Sequence, residues 1–346
     1  IHDYRGTLSG APNFAYELCL RRVPDDLLGQ LDLSCWRIAF NGAEPVNPGT
    51  MERFAARFAA CGLDPQALAP VYGLAECAVG LAFTPQRGLQ VDRIERAAFS
   101  TLGQAVPAAP NDPNPLRFVA CGRPLPGYEL RVVDASGSEL PERHEGRLQF
   151  RGPSATAGYW RNPQANARLF DGDWLDTGDY AYLAGGELYP SGRAKDIVIK
   201  AGRNIYPQEV EEAVGRIAGV RPGCVAVFGS PDPASGTERL VVAAETRLTE
   251  AAALAALRQA IQDQVLELLG LPADEIWLSA QRIVLKTSSG KVRRAACLDY
   301  GVYARLQMPR KHDLRRGAAM GRSNRRHGRV GKITTTAKQI GRASCR

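Results

Sequence analysis

The apolar positions of this 346-residue chain change rhythm twice. Over residues 1–128, short apolar runs alternate with helix-spaced ones. Residues 18–31 have helical spacing interrupted at Pro24, and 36–40 form a short run suited to a buried strand. Residues 48–60 place Met51, Phe54, Ala55 and Phe58 on one helical face. Strands followed by helices predict α/β layers. Residues 84–118 interrupt the pattern: they are polar and Pro-rich, and predict an insertion with little regular structure. From 129 to 190 the period shortens to that of strands, at 129–134, 146–151, 180–183 and 187–189. Gly185-Gly186 is suited to the turn between the last two. A small antiparallel sheet or barrel against the α/β part is expected.

After Lys195 the pattern becomes a compact α+β unit. Ile197, Val198 and Ile199 make a β-branched run, and Gly202 ends it. Pro207 suits the first turn of a helix, and Val210, Ala213, Val214 and Ile217 line one face of it. Strands are expected at 224–228, 240–244 and 283–285. Between the last two, Thr249 is expected to cap a long helix that ends at Gly270, with Leu254, Leu257, Ile261, Val265 and Leu268 buried.

Composition narrows the class. A hydrophobic content of 45% and a charged content of 23% fit a soluble globular protein of two or three domains. No apolar run approaches the roughly 20 residues that span a bilayer. The opening, IHDYRGTLSGAPNF, has no Met and no secretory pattern, and reads like the middle of a domain. The eight cysteines form no Cys-x-x-Cys pair and several lie in apolar runs, which predicts buried thiols in a reducing, cytoplasmic setting. Three of the four histidines (2, 312 and 327) lie near the termini, so a His-based triad or metal cluster is not expected. The net charge of +8 is misleading. Residues 308–346 carry 12 of the 44 bases and one of the 36 acids, which leaves the rest at net −3. The segment 306–346 is expected to be a basic, disordered tail, with nucleic-acid binding as its functional alternative.

Five segments carry candidate chemistry, each with an ordinary structural reading beside it. Asn41-Gly-Ala-Glu-Pro-Val46 is a turn whose backbone can line a flat base, or simply a turn. Tyr72-Gly-Leu-Ala-Glu76 offers a ring to stack on a purine and a carboxylate for Mg²⁺, or a core Tyr and a solvated Glu. Asp179, in Trp174-Leu-Asp-Thr-Gly-Asp179, can accept two hydrogen bonds from a ribose diol, or can belong to a hairpin turn. Arg193 and Lys195 flank a glycine turn and suit an anionic ligand, or a basic surface. Lys291, on the small-residue loop of Thr287-Ser-Ser-Gly-Lys-Val-Arg-Arg294, can neutralise charge developing between a carboxylate and a phosphate, or face solvent.

In this order the segments resemble the superfamily of adenylate-forming, AMP-binding enzymes: NGAEP, YGLAE, GRLQFRGPSATAGYW with LDTGD, SGRAKD with IKAGRNIYPQEVE, and TSSGKVRR, across residues 41–294. APNFAYELCLRR, WRIAFNGAEPV, CGRPLPGYELRVVD and the long stretch after Glu76 are most similar to fatty acyl-AMP ligases, which resemble acyl-CoA synthetases with an insertion. The resemblance implies the α/β fold of that superfamily. It divides the chain into the C-terminal part of a large AMP-binding domain (1–194), a small mobile domain (195–305) and the tail. It implies ATP-dependent activation of a fatty acid to an acyl-adenylate, then transfer to the thiol of coenzyme A or of a carrier protein's phosphopantetheine. By motif, Lys291 bridges carboxylate and α-phosphate and Glu76 binds Mg²⁺. Ala43, Glu44 and Pro45 with Tyr72, Gly73, Leu74 and Ala75 hold the adenine side, and Asp179 and Arg193 hold the ribose. Lys195 is the hinge, and the Gly202 loop serves the thiol step.

Two departures are visible. The branch often carries His where this chain has Ile205, so the acceptor stays open between the two thiols. The family's Ser/Thr/Gly-rich phosphate loop belongs upstream of residue 1, so a truncated ligase, inactive alone, is expected. An amino-acid-activating domain is a second reading. Such domains keep an Asp for the substrate amine near residue 14, where this chain has Asn13 and Phe14.

Overall fold

The computed structural model describes residues 1–84, 88–232, 237–287 and 290–307. Residues Ile1–Gly301 form one compact unit. Of the second, Val302–Arg346, only the end of the helix Arg294–Gln307 is described, and the basic segment from 308 on lies outside the described residues.

The first sheet runs parallel through Leu8–Ala11, Ile38–Asn41 and Leu68–Tyr72, then turns antiparallel through the short strands Ala82–Phe83 and Arg123–Pro124. The helix Pro48–Phe58 lies between two of its strands, and the Asn47 side chain caps it by accepting from the Thr50 N–H. Its expected face is the buried one: Met51, Phe54 and Phe58 enter one core with Tyr16 and Leu68. Pro24 separates the helices Asn13–Arg22 and Asp25–Leu28, as its missing N–H requires.

The second sheet is antiparallel, built from Glu129–Val133, Gly146–Arg151, Trp174–Ala184 and Glu187–Arg193, with Phe170–Asp171 at its edge. Gly185 and Gly186 both have positive φ, so they form the tight turn that matches strand twist. Asp179 does not lie in that turn: it sits within the long strand, opposite Arg193.

Within the stretch 84–118, residues 88–118 are more regular than the composition predicts, and 85–87 lie outside the described residues. Val91–Ile94 and Leu116–Val119 pair antiparallel, and Arg96–Leu102 is a helix between them. Its order rests on a core borrowed from elsewhere: Phe99 is fully buried against Phe118, Tyr182 and Tyr206. Local periodicity cannot reveal such a core.

Beyond residue 195, Val198–Lys200 and Arg203–Ile205 form a hairpin whose turn residues, Ala201 and Gly202, both have positive φ. A three-stranded sheet follows, with Val220–Asp232 antiparallel to Thr237–Thr246 and Glu275–Ser279 parallel to the latter. The helices Pro207–Gly215 and Ala251–Leu269 cover it through Val210, Val214, Leu257, Ile261 and Val265. Two expectations fail here. Glu250, not Thr249, occupies the N-cap of the long helix, because the helix starts one residue later. The segment 283–285 is no strand: the N–H groups of Ile283 and Val284 both donate to the Glu245 carboxylate, which replaces a strand partner. The described cysteines are free thiols; Cys61, Cys77, Cys121 and Cys297 are buried, whereas Cys19 is exposed and Cys35 and Cys224 are intermediate.

Candidate active site

Asn41 and Pro70 pair at the carboxyl ends of neighbouring parallel strands, so the turns that follow them, 42–46 and 73–76, emerge side by side. That edge is where open α/β sheets bind ligands. Gly42 is packed so closely on Val71 that an added Cβ would lie 2.8 Å from its Cγ2. Ala43 has φ 69°, which turns the chain sharply into Glu44.

Asn13 organises this first turn. Its N–H donates to Glu44 Oε1 (2.9 Å), its Nδ2 donates to the Pro45 carbonyl (2.8 Å), and its Oδ1 accepts from Asn41 Nδ2 and from the Asn47 N–H. Burial raises the Glu44 carboxyl above its usual range, and the Asn13 donors and the charge of Lys291 oppose that rise. The turn that carries Lys291 borders this one, because the residue before Lys291 touches Phe14, next to Asn13. The neighbouring Gly290 packs on the Phe14 ring, where an added Cβ would come within 3.3 Å. Within the Lys291 turn, the Lys291 N–H donates to Thr287 Oγ1 and the Thr287 N–H to the Lys291 carbonyl. Ser288 and Ser289 of this motif lie outside the described residues.

The second turn is fixed by backbone sterics. At Gly73 an added Cβ would lie 1.6 Å from the Val79 carbonyl oxygen, so only glycine fits. The return path through Ala78 and Val79 is left-handed at both residues, a conformation rare for β-branched Val. From the start of this turn Tyr72 donates its hydroxyl to Asp179 Oδ2 at 2.7 Å. Arg193 Nε lies 3.7 Å from Asp179 Oδ1. Burial raises Asp179, and the Tyr72 hydroxyl and the Arg193 charge pull it back. The Tyr72 phenol is itself raised well above its usual value, by burial first and then by the Asp179 charge. Tyr72, Asp179 and Arg193 thus form one cluster from three segments of the chain.

Glu76 accepts a hydrogen bond from the Tyr159 hydroxyl, and its backbone carbonyl accepts from the Thr156 N–H. That bond raises the Tyr159 phenol to about 12. Among the described residues no group of three or more His, Cys, Asp or Glu side chains could hold a metal. A lone, oriented carboxylate still suits Mg²⁺, which commonly takes one or two protein carboxylates and fills its shell with water and phosphate. Lys195 is exposed on the turn after Arg193, where the Asp196 and Ile197 N–H groups both return to the Arg193 carbonyl. Gly202 sits at its hairpin tip with open space around it, while Lys200 anchors the flank by donating to Asp274 at 2.6 Å.

Residues 195–301 meet 1–194 through a shared apolar core, in which Ile197 and Tyr206 pack with Phe99 and Tyr182, and through polar contacts. Arg96 pairs with Glu209, Asn47 donates to Glu212, and Asn114 donates to the Leu268 carbonyl. Glu145 accepts from Tyr206 (2.9 Å), Asn204 and Ser191, and burial raises its carboxyl above the usual range against those three donors. Sequence reasoning gave Tyr159, Asn13 and Glu145 no role. Tyr159 lies within the quoted GRLQFRGPSATAGYW segment, which was the available signal; Glu145 has no local signal. Ile205 is 3% exposed and packs with Val198 and Val210.

The sequence profile described as AMP-binding enzyme matches residues 1–160. The Mycobacterium tuberculosis protein Rv1013 is 36% identical over 299 residues, covering 85% of this chain and 54% of its own length. A medium-chain-fatty-acid–[acyl-carrier-protein] ligase of Moorena producens is 34% identical, over 86% of this chain and 52% of its own. Among solved structures, one from a study of fatty acyl-adenylate ligases of E. coli and L. pneumophila matches with a TM-score of 0.81 at 34% identity, over 88% of this chain and 55% of that one. The chain spans about half the length of the curated relatives it matches.

Proposed function

The chain belongs to the AMP-binding enzyme family, in its fatty acyl-AMP ligase branch, and on that premise we propose that it is part of an enzyme that activates a fatty acid with ATP and passes the acyl group to a carrier-protein phosphopantetheine thiol. The observation that carries the reading is the Tyr72–Asp179–Arg193 cluster, with the Lys291 turn packed on Phe14 beside the Glu44 turn.

In the first step a carboxylate approaches the α-phosphate, and two anions must be brought together. Lys291 neutralises charge between them as the new bond forms and pyrophosphate leaves. Tyr72 packs on adenine, with the backbone of Ala43, Glu44 and Pro45 as the opposite wall and Gly73, Leu74 and Ala75 along its edge. Asp179 accepts from the ribose hydroxyls, and Arg193 keeps that carboxylate oriented. Mg²⁺, held by Glu76, would supply positive charge at the phosphates. Lys195 is the pivot about which 195–305 turns as the small domain, and the Gly202 hairpin then takes the place of Lys291 for thiol attack. The exposed positions of Lys195 and Gly202 support this division.

An amino-acid substrate is less well supported. The side chain at the position in question, Asn13, carries no charge and spends both its amide groups on Pro45, Asn41 and Asn47. The carrier-protein acceptor is suggested by two relatives, both medium-chain-fatty-acid–[acyl-carrier-protein] ligases. ATP–pyrophosphate exchange stimulated by fatty acids and not by amino acids is the expected result. Exchange driven by amino acids alone would overturn the reading. Acyl transfer to coenzyme A at the rate seen with a phosphopantetheinylated carrier would overturn the acceptor.

A further inference from the structure

Arg294 lies three residues after Lys291, and its side chain is only 10% exposed. Its Nη1 donates to Asp196 Oδ2 at 2.8 Å, its Nε to Glu211 Oε1 at 2.8 Å and its Nη2 to Glu211 Oε2 at 2.7 Å. Both carboxylates are withdrawn from solvent, at 15% and 13% exposure. One guanidinium thus joins three places: the residue next to Lys195, the root of the Lys291 loop, and the helix Pro207–Gly215. That helix also carries Glu209 and Glu212, which meet Arg96 and Asn47. Glu211 is further tied by accepting from the Val227 N–H at 2.9 Å. The described part of the Lys291 loop is also held by a bridge between Lys286 and Val292, by the Arg293 N–H to the Leu285 carbonyl, by Lys286 Nζ donating to the Gly223 carbonyl and by Gly290 against Phe14.

A planar fork that satisfies two carboxylates at once fixes orientation as well as distance, which a point-charge lysine does not. Burial of one cation with two anions leaves little to gain in net stability, so the arrangement is better read as geometric specification. We propose that Arg294 is a positioning residue for Lys291: its shared guanidinium fastens the Lys291 loop to the pivot and to the helix Pro207–Gly215, so that all three turn as one body. The consequence for catalysis rests on the role given to Lys291 above; the mechanical link does not.

The test uses Arg294→Lys, Asp196→Asn and their combination in the protein. Hydrogen exchange should rise selectively at 286–293 and 196–198 in Arg294→Lys, with the sheet 220–246 as protected as before. Fatty-acid-dependent pyrophosphate exchange should fall on the order of 100-fold, the loss typical of a misplaced reacting group, with the ATP KM nearly unchanged. Transfer from supplied acyl-adenylate should be retained, and the double variant should be no worse than Arg294→Lys alone. Unchanged exchange at 286–293 would overturn the link. So would additive losses in the double variant, or equal loss of both half-reactions. A wild-type protein with no pyrophosphate exchange would instead sink the functional reading, while hydrogen exchange still decides the link. Should Arg294→Lys fail to fold, Glu211→Gln, which keeps size and one acceptor, carries the same hydrogen-exchange test.

Discussion

The turn after Tyr72 and the contacts that join 195–301 to 1–194 are held by different balances of forces. The turn after Tyr72 is fixed by contact: Gly73 is the only residue that clears the Val79 carbonyl, and Ala78 and Val79 accept left-handed backbone to make the return. Residues 195–301 are held to 1–194 by a mixture: Glu145, Arg96 and Asn47 make hydrogen bonds and ion pairs, and Ile197 and Tyr206 share a core with Phe99 and Tyr182. Steric walls have one arrangement, because packed atoms cannot yield gradually. Polar contacts can be exchanged for water at modest net cost.

Four changes test the contrast, in descending order of effect. Lys291→Ala should reduce acyl-adenylate formation by roughly 10²–10³-fold, the scale of losing one aimed electrostatic partner, while sparing transfer from supplied acyl-adenylate. Parallel pyrophosphate-exchange and transfer assays read both; equal losses would remove Lys291 from its role. Gly73→Ala should cost about 3 kcal/mol, the upper range for overpacking, seen as a lower denaturation midpoint at unchanged slope. An unaltered midpoint would show that the turn is not sterically fixed. Asp179→Ala should raise the apparent ATP KM about tenfold, as expected for a lost hydrogen bond to a charged group, and should also lower stability, because the Tyr72 hydroxyl loses its acceptor. An unchanged KM would take Asp179 out of the ribose site.

The smallest effect belongs to Glu145, whose carboxyl is raised above its ordinary range by burial. The folded state then binds its proton more tightly than the unfolded state. Its stabilising share is complete below the ordinary carboxylate range and is lost as pH rises through the raised value. Glu145→Gln should remove that loss, so the stability difference between wild type and variant should shift toward the variant as pH climbs. Denaturation midpoints across that window measure it, and a pH-independent difference would show that Glu145 does not titrate there.

The reading from sequence was good where a residue's role is local. Pro24, Pro207, Gly185-Gly186, Gly202 and the buried face of 48–58 are backbone or periodicity effects, and each appears as expected. It failed where a partner lay far along the chain. Phe99 orders 88–118 only because Tyr182 and Tyr206 meet it, and 283–285 forgoes a strand only because Glu245 supplies an acceptor. The strand Glu275–Ser279 was missed altogether, since its place beside Thr237–Thr246 is set by a nonlocal pairing.

By itself the sequence determined the chemistry on offer: a tyrosine and carboxylate on one glycine turn, an aspartate beside a glycine, a lysine in a loop of small residues, and the order of all of these. Residue type and short-range spacing are enough for that, because side-chain chemistry and turn geometry are local properties. Only the tertiary structure decided which of these groups meet. Asp179 joins Tyr72 across 107 positions, Arg294 reaches Asp196 across 98, and Tyr206 reaches Glu145 across 61. Such encounters are settled by the packing of whole layers, where many weak contacts are satisfied at once.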